Sequence, residues 1–333
     1  MNASMWLKAL RVIPRINKEE WDALDVISRW LISTRAAVLI MTFFSAAIAG
    51  IFAWRDGSFH FGRWALLVVG LLFAHATNNL INDFTDYRRG VDKNNYFRIQ
   101  YGPQPLEQGL MTIRTLLVYI AVTGLIAVAA GLPLVFQGGS TALWLMVAGV
   151  VFVLFYTFPL KYIGLGEIAV LIIWGPMMIG GGYFVITGVW DWNVVWASLT
   201  YALGPTTVLF GKHIDKIKDD KTKKIYTLPV ILGEKPARYI VMGMIAIQYL
   251  TIIALVLTGF FTPVMLVVLA AVTAVPRVWG LFKDPKPDER PDDYDASIWP
   301  LWFSAAAFLH NRRFGTFLMV GLILEVVMRL WIL

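Results

Sequence analysis

Long apolar runs alternate with short polar connections along most of the 333-residue chain. A helix needs about 20 consecutive apolar residues to cross a bilayer, and nine runs are of suitable length. They cover residues 31–53, 64–82, 115–136, 141–159, 165–187, 193–211, 238–258, 262–282 and 315–333. A further stretch, 299–309, is too short to span and is expected to be interfacial or to extend a helix. The pattern predicts an all-α polytopic membrane protein.

Composition supports the membrane class. Apolar and aromatic residues make up 58% of the chain, above the roughly 45–50% of soluble domains. The absence of Cys excludes disulfides, thiolate metal sites and a Cys nucleophile. The N-terminal region lacks a short apolar core followed by a small-residue cleavage site, so no cleaved signal peptide is expected.

The basic residues predict an orientation. The connections at 137–140, 188–192 and 259–261 contain no Lys or Arg, whereas the N-terminal segment 1–30 and the connections after the second, sixth and eighth runs are basic. The positive-inside rule therefore predicts a multi-pass protein of the plasma membrane whose N-terminus and basic loops are cytoplasmic. The net charge of +7 has the same origin. Nucleic-acid binding is not expected, because no recognition motif accompanies the charge.

An acidic and amide-rich segment follows the second run. If that helix continues, Asn78, Asn82 and Asp86 lie at i, i+4 and i+8 on one face. Mg²⁺ prefers oxygen ligands and usually takes one or two carboxylates together with substrate phosphates. Polar groups at the edge of an apolar zone are costly, which favours a functional role over a simple helix end.

A second acidic segment follows the sixth run. Asp215 and Asp219 repeat the i, i+4 spacing, and the lysines between and around them would neutralise phosphate oxygens. A solvated, charged loop is the alternative interpretation of this segment taken alone. Two such segments on the same side of the membrane predict a metal clamp around a bound diphosphate.

Isolated basic residues near the membrane are further candidates for diphosphate binding. Lys161 occupies a short turn between two runs, where it would hold a phosphate oxygen as a point charge, the alternative being a membrane anchor. Arg35 lies within the first apolar run and should face a polar cavity unless it snorkels to the headgroups. Arg98 and Lys212 lie close to the two acidic segments and are expected to assist.

Together these residues resemble the UbiA superfamily of membrane prenyltransferases. In that family two Asp-rich motifs follow the second and sixth of nine helices, and a Tyr and a basic residue lie between helices four and five; Tyr156 and Lys161 occupy those positions here. The resemblance implies one prenyltransferase domain, residues 1–333, with nine transmembrane helices around a central polar cavity. It implies Mg²⁺ ligands at Asn82, Asp83, Asp86, Asp215 and Asp219.

The family likeness also implies a reaction. A polyprenyl diphosphate would be ionised with Mg²⁺ assistance, and the allylic cation, sheltered by Tyr156, would be attacked by an aromatic acceptor. The run Gly164–Glu167, followed by Trp174-Gly175-Pro176, is most similar to the branch that prenylates dihydroxynaphthoate for menaquinone.

Two positions depart from the family pattern. Gly90 occupies the third position of the first motif, and Asp92 lies two residues further on, which sets Asp92 apart from the other metal ligands. Gln104 precedes Pro105 where the family tends to have Arg, a charge that Arg98 could replace.

Alternative functions follow from the same features. Within the family, the acceptor could instead be a glycerol phosphate or a tetrapyrrole. Outside it, a multi-span transporter is the main alternative, although the polar residues cluster near one membrane face rather than through the spans. The charged, Pro-rich connector 283–300 is expected to be cytoplasmic, solvated and mobile.

Overall fold

The computed structural model describes residues 2–93, 102–296 and 298–331, with the side chains of the last two left out. The chain packs into two compact units. The first contains Met1–Ala46 and Gly62–Phe158, and the second contains Ala47–Phe61 and Pro159–Leu333. Secondary structure is helical in both, as the apolar pattern predicts.

The first unit begins with three short helices, α1 (Ala3–Arg11), α2 (Lys18–Asp22) and α3 (Val26–Ser33). Asp25, the N-cap of α3, links them, because its carboxylate accepts from the backbone N–H groups of Ser28 and Asn2 and from the indole of Trp6. Asn17 and Glu20 form a capping box that starts α2. These contacts hold α1 against the apolar core of the unit.

Three long helices follow: α4 (Ala36–Arg55), whose residues from Ala47 onward belong to the second unit, α5 (Phe61–Arg88) and α6 (Ile113–Phe155). The 43 residues of α6 are two helices joined at Gly139, whose φ of 62° and ψ of −146° are not helical. A positive φ costs glycine little, so the chain can bend there. The two predicted runs 115–136 and 141–159 are therefore both present in α6.

The second unit contains the remaining helices. They are a 3₁₀ turn (Leu160–Ile163), α7 (Gly166–Thr187), α8 (Trp192–Asp215), α9 (Ile217–Thr222), α10 (Leu228–Leu232), α11 (Glu234–Leu257), α12 (Pro263–Phe282) and α13 (Phe303–Trp331). Within α7 the section Ile173–Gly181 is π-helical and contains Pro176, whose missing N–H cannot continue a regular α-helix.

Seven helices of the described residues are long and apolar enough to cross a membrane, compared with nine predicted runs. Two of the runs share α6, which accounts for one difference. The last run, 315–333, falls in α13, whose final residues lie outside the described ranges. The short stretch 299–309 extends a helix rather than forming a separate one, because α13 begins at Phe303.

α8 is the most buried of the seven and forms the centre of the second unit, packing against α7, α11 and α13. Gly211 permits the close approach of α13, because a Cβ there would lie 2.7 Å from the carbonyl oxygen of Phe303. Buried hydrogen bonds link polar side chains across these helices: Gln248 donates to the backbone carbonyl of Thr200, and Tyr249 bonds His310 at 2.9 Å. The apolar helices are thereby fixed in register by buried hydrogen bonds.

The hydrogen bonds to Asp25 predict a pH-dependent N-terminal region. The Ser28 N–H, with further donors from Trp6 and Asn2, holds the pKa of Asp25 well below its usual value of 3.8. Stabilisation by this ionised carboxylate is complete above that usual value and is lost as the pH falls through the lower folded pKa. At neutral pH, Asp25→Ala should therefore speed amide hydrogen exchange in residues 3–11.

Asp22→Ala is the matched control, because Asp22 is an exposed acid that forms an ion pair with Lys18 one helical turn away. Exchange rates are compared after correction for intrinsic rates at each pH. Equal exchange of α1 in the two variants at neutral pH would contradict the role assigned to Asp25.

Candidate functional site

The first acidic segment lies on an unbroken helix. α5 runs through Arg88, so Asn78, Asn82 and Asp86 share one face as predicted. The amide of Asn78 donates to the carbonyl of Val153 at 2.9 Å, and that of Asn82 donates to the hydroxyl of Thr157 at 3.1 Å. Both bonds use the amide nitrogen, so the carbonyl oxygen is the atom that each side chain can offer to a cation.

Arg35 and Asp83 form an ion pair that the sequence analysis did not foresee. Arg35 interrupts the helical path between α3 and α4 with a φ of 54°, and Asn79 donates to the carbonyl of Thr34 beside it. The side chains of Arg35 and Asp83 are only 13% and 4% exposed. Arg35 therefore does not snorkel; each of the two charges has the other as partner.

The two departures from the family pattern contact each other. Asp92 and Gln104 are both buried, and the side-chain amide of Gln104 donates to Asp92 at 3.1 Å. Gln104 thus provides a neutral donor to the displaced carboxylate. The predicted Arg98 lies outside the described residues.

The second acidic segment differs from the prediction of one helical face. α8 ends at Asp215, Lys216 leaves the helical region at φ −111° and ψ 9°, and α9 begins at Ile217. Asp215 and Asp219 therefore do not lie on one continuous helix, and the i, i+4 interpretation is wrong for this pair. Asp219 is half-buried, whereas Asp215 is buried.

Asp215 caps the start of α13. Its two carboxylate oxygens accept from the backbone N–H groups of Trp302, Phe303 and Ser304 at 2.9–3.1 Å, and the Ser304 hydroxyl adds a bond of 2.8 Å. Unpaired N–H groups and the helix dipole make such an end favourable for an anion. This contact joins residues that are 87 to 89 positions apart, which explains why spacing alone did not reveal it.

Asp220 is a buried acid that the sequence analysis missed. Its side chain is 1% exposed, and its Oδ1 accepts from the ammonium of Lys216, which is also buried, at 3.1 Å. Its Oδ2 is buried with no hydrogen-bond partner within the described part of the chain. A carboxylate oxygen in that condition is suited to a cation or a further donor. The i, i+4 spacing of Lys216 and Asp220 was the available signal.

Part of the connector 283–300 packs beside the second segment, although it was expected to be solvated. Lys286 donates to the carbonyl of Pro300 at 2.6 Å and lies 4.9 Å from the centre of the Trp299 ring. Burial lowers the pKa of Lys286, and the nearby Asp215 and Asp219 oppose that shift. Much of the remaining connector is exposed to solvent.

Tyr294 is a second connector residue that packs against the rest of the unit. Its hydroxyl donates to the carbonyl of Leu301 at 2.6 Å, and its ring packs against Trp302. Burial, assisted by the charge of Asp215, raises the pKa of Tyr294 to about 12. The connector therefore brings a cationic and a phenolic side chain close to the second acidic segment.

The turn with Lys161 is supported by a buried dyad. Glu167 and His213 are both almost fully buried and bond at 2.6 Å between Oε1 and Nδ1, while the other oxygen of Glu167 accepts from the backbone N–H of Leu228. A Cβ at Gly166 would lie 3.2 Å from the Cα of Lys161, so the turn packs closely on the start of α7. Sequence spacing did not predict this dyad, whose members are 46 positions apart.

The other predicted residues are partly accessible. Lys161 is half-buried in the 3₁₀ turn, with its ammonium 5.9 Å from the centre of the Tyr162 ring. Lys212 is half-buried near the end of α8, and Tyr156 is half-buried in the first unit as the C-cap of α6.

The donor set is suited to Mg²⁺. Carboxylate oxygens occur in both segments and side-chain amide oxygens in the first, and the buried Oδ2 of Asp220 is an acceptor without a hydrogen-bond partner among the described residues. No group of three or more His, Cys, Asp or Glu side chains that could hold a metal occurs in the described ranges. Mg²⁺ commonly takes one or two protein carboxylates together with substrate phosphates, and each segment, taken by itself, contains oxygens of that kind.

Several known proteins resemble this chain, with about a quarter of the aligned residues identical. UbiA prenyltransferase domain-containing protein 1 homolog of Drosophila melanogaster is 24% identical over 63% of this chain, and the match spans 58% of the fly protein's length. The 1,4-dihydroxy-2-naphthoate octaprenyltransferase of Escherichia coli is 28% identical over 63% of this chain and 70% of its own. Digeranylgeranylglyceryl phosphate synthase of Natronomonas pharaonis is 28% identical over 74% of this chain and 83% of its own length.

Solved structures of low identity share the fold. A digeranylgeranylglyceryl phosphate synthase matches with a TM-score of 0.60 at 16% identity, over 90% of this chain and 97% of that one. A UbiA homolog from Archaeoglobus fulgidus, bound to DMAPP and Mg²⁺, matches with a TM-score of 0.54 at 15% identity. The match covers 87% of this chain and 99% of the homolog. Residues 43–301, which include both acidic segments and the Lys161 turn, match the UbiA prenyltransferase family. The chain therefore belongs to the UbiA prenyltransferase family, a family of multi-pass membrane enzymes.

Proposed function

We propose that this protein transfers a polyprenyl group from a polyprenyl diphosphate to an aromatic acceptor, with Mg²⁺ as cofactor. The observation that carries the proposal is the face of α5 on which Asn78, Asn82 and Asp86 are aligned, with both amide nitrogens already bonded. The family match across both units supports a single domain, residues 1–333. The A. fulgidus homolog, bound to DMAPP and Mg²⁺, is consistent with this cofactor.

The departing diphosphate sets the chemical requirement. Bound Mg²⁺ would offset the negative charge that grows on the leaving group. The oxygens we assign to the metal are those of Asn82, Asp86, Asp219 and, from its orphaned Oδ2, Asp220. Asp83 and Asp215 have indirect roles in this proposal. Asp83 forms an ion pair with Arg35, and Asp215 holds the start of α13 by accepting its backbone N–H groups.

Lysines supply the remaining positive charge. Lys161 and Lys212 are half-buried, Lys216 is buried and Lys286 is drawn in from the connector, so their ammonium groups can neutralise phosphate oxygens as point charges. We retain Arg98 as a diphosphate ligand, and Arg35 as one that acts together with its partner Asp83. Tyr156 would shelter the allylic cation through its ring face.

The bilayer accounts for the architecture. A polyprenyl tail is apolar, so a reaction centre within the membrane spares it exposure to water. We infer nine spans around a central polar cavity, the two halves of α6 and the helix α13 completing the number. The distribution of Lys and Arg supports a cytoplasmic N-terminus and cytoplasmic active-site loops in the plasma membrane.

Dihydroxynaphthoate is the favoured acceptor, which would place the enzyme in menaquinone synthesis. The run Gly164–Glu167 forms the turn into α7, where Glu167 bonds His213. Gly175 lies in the π-helical section and packs against α8, since a Cβ there would lie 2.8 Å from the Cβ of Ala202. The E. coli naphthoate octaprenyltransferase is a relative of equal identity to the archaeal one.

A glycerol phosphate acceptor is the second candidate. The N. pharaonis synthase is matched over more of both chains than the E. coli enzyme, and another synthase of this kind shares the fold. A tetrapyrrole acceptor and a transport function are further alternatives, which the experiment below also separates.

Purified protein incubated with labelled polyprenyl diphosphate, Mg²⁺ and a panel of acceptors tests the reaction. The panel contains dihydroxynaphthoate, hydroxybenzoate, homogentisate, a glycerol phosphate and a tetrapyrrole. We expect the prenylated naphthoate as the main product and its loss on addition of EDTA, because the leaving diphosphate would lose its counter-charge. A prenylated glycerol phosphate would select the second candidate, and transfer to no acceptor would contradict the enzyme proposal.

Asp86→Asn should lower kcat/KM by about a hundredfold or more, the usual cost of removing one electrostatic contact from a transition state. It should also raise the Mg²⁺ concentration needed for half-maximal activity, because a carboxylate ligand is lost. Asp292→Asn, at an exposed position of the connector, is the matched control. Unchanged Mg²⁺ dependence in a folded Asp86→Asn protein would remove Asp86 from the metal site.

Lys216→Met should destabilise the fold, because it leaves the buried Asp220 without its cation; such losses are about 3–5 kcal/mol. The double variant Lys216→Met with Asp220→Asn should recover much of this stability without recovering the binding of inorganic diphosphate and Mg²⁺, measured by calorimetry. Lys218→Met, whose side chain is 94% exposed, is the control. Full diphosphate affinity in the double variant would show that the pair is only structural.

A further inference from the structure

The N-terminal helix α1 lies outside the family match, which begins at residue 43. A helix turns about 100° per residue, so the nine residues of α1 cover all of its sides. The side that carries Met5, Trp6 and Ala9 faces the first unit, because Ala9 is 1% exposed and the other two pack against the same core. Asp25 fastens this side through the Trp6 indole.

A second side of α1 is apolar yet exposed. Leu7 and Leu10, three residues apart and therefore on one face, are 60% and 50% exposed, and Val12 directly after the helix is 52% exposed. Val26 and Ile27, next to Asp25 in sequence, are 67% and 46% exposed. Leu7 and Leu10 form the exposed apolar side of α1, and large apolar side chains that share a helix face in this way mark an interaction surface rather than scattered exposure.

The third side of α1 is polar and basic. Ser4, Lys8 and Arg11 follow one another at spacings of four and three residues, and all are exposed. By the same 100° step, this side adjoins the Leu7 and Leu10 side at Arg11 and the buried side at Lys8. An apolar stripe bordered by cations is the arrangement of helices that lie in a membrane interface, with apolar side chains among the acyl chains and basic ones at the headgroups.

We propose that α1 lies in the bilayer interface, with Leu7 and Leu10 inserted and Lys8 and Arg11 on anionic phospholipid headgroups. The positive charges of Lys8 and Arg11 complement anionic headgroups, which favours a lipid surface as the occupant. The protein is placed at a bilayer by its membrane spans, of which α4, beginning at Ala36, is the first candidate. Asp25 then ties the interfacial helix to α3, directly before the first span. The inference rests on the membrane class of the protein and does not depend on the proposed reaction.

The absence of cysteine allows the test to be made on the full chain, because a single introduced Cys takes one spin label. Leu7→Cys and Ser4→Cys are compared in nanodiscs of phosphatidylcholine, with and without phosphatidylglycerol. Power saturation reports whether each label is relaxed more by oxygen, which partitions into lipid, or by a water-soluble nickel chelate. In anionic nanodiscs we expect oxygen to dominate at position 7 and the nickel chelate at position 4.

Replacing Lys8 and Arg11 together by Gln should weaken insertion of the position-7 label by about fivefold for each basic residue, in anionic nanodiscs only. Equal nickel accessibility of the two labels would overturn the proposal. So would spin–spin broadening at position 7, which would show a second copy of the chain on this surface. Because label depth is measured without substrate, failure of this proposal is distinguishable from failure of the reaction.

Discussion

The contact between Asp215 and the first residues of α13 is the interaction on which much of the second unit depends. One carboxylate at the end of α8 receives three backbone N–H groups and a hydroxyl, and Gly211 lets the two helices come close enough for it. The position of α13 in turn fixes the end of the connector, where Lys286 and Tyr294 bond to backbone carbonyls just before the helix. Asp215, an acid of the second segment, thus helps to position the residues around that segment.

The same constraint recurs throughout the chain, because a charge in an apolar protein is costly unless it is paired. Several buried ionisable side chains are accordingly matched in pairs across helices or one turn apart: Arg35 with Asp83, Glu167 with His213, Lys216 with Asp220, and Glu325 with Arg329. Pairing within the protein also limits which carboxylate oxygens can bind a metal ion or a substrate. It distinguishes Asp215, both of whose oxygens accept hydrogen bonds, from Asp220, whose Oδ2 has no hydrogen-bond partner among the described residues.

Local pattern predicted the parts of the site that depend on one helix. α5 continues beyond the apolar run, so the alignment of Asn78, Asn82 and Asp86 could be predicted from spacing and periodicity alone. α8 did not continue in the same way: it ends at Asp215, whose side chain accepts hydrogen bonds from α13. The i, i+4 spacing could show neither the end of the helix nor the distant partner of this acid.

The helical membrane class, the position of nearly every span and the two oxygen-rich segments could be predicted from the sequence, because they follow from run length, hydropathy and the period of a helix. Which acids are engaged within the protein depends on how the helices pack. Arg35 and Asp83 are 48 positions apart and Asp215 and Ser304 are 89, and no local property of the chain encodes such partners. They are selected when packed helices exclude water and each buried charge must find a donor or a counter-charge within the protein.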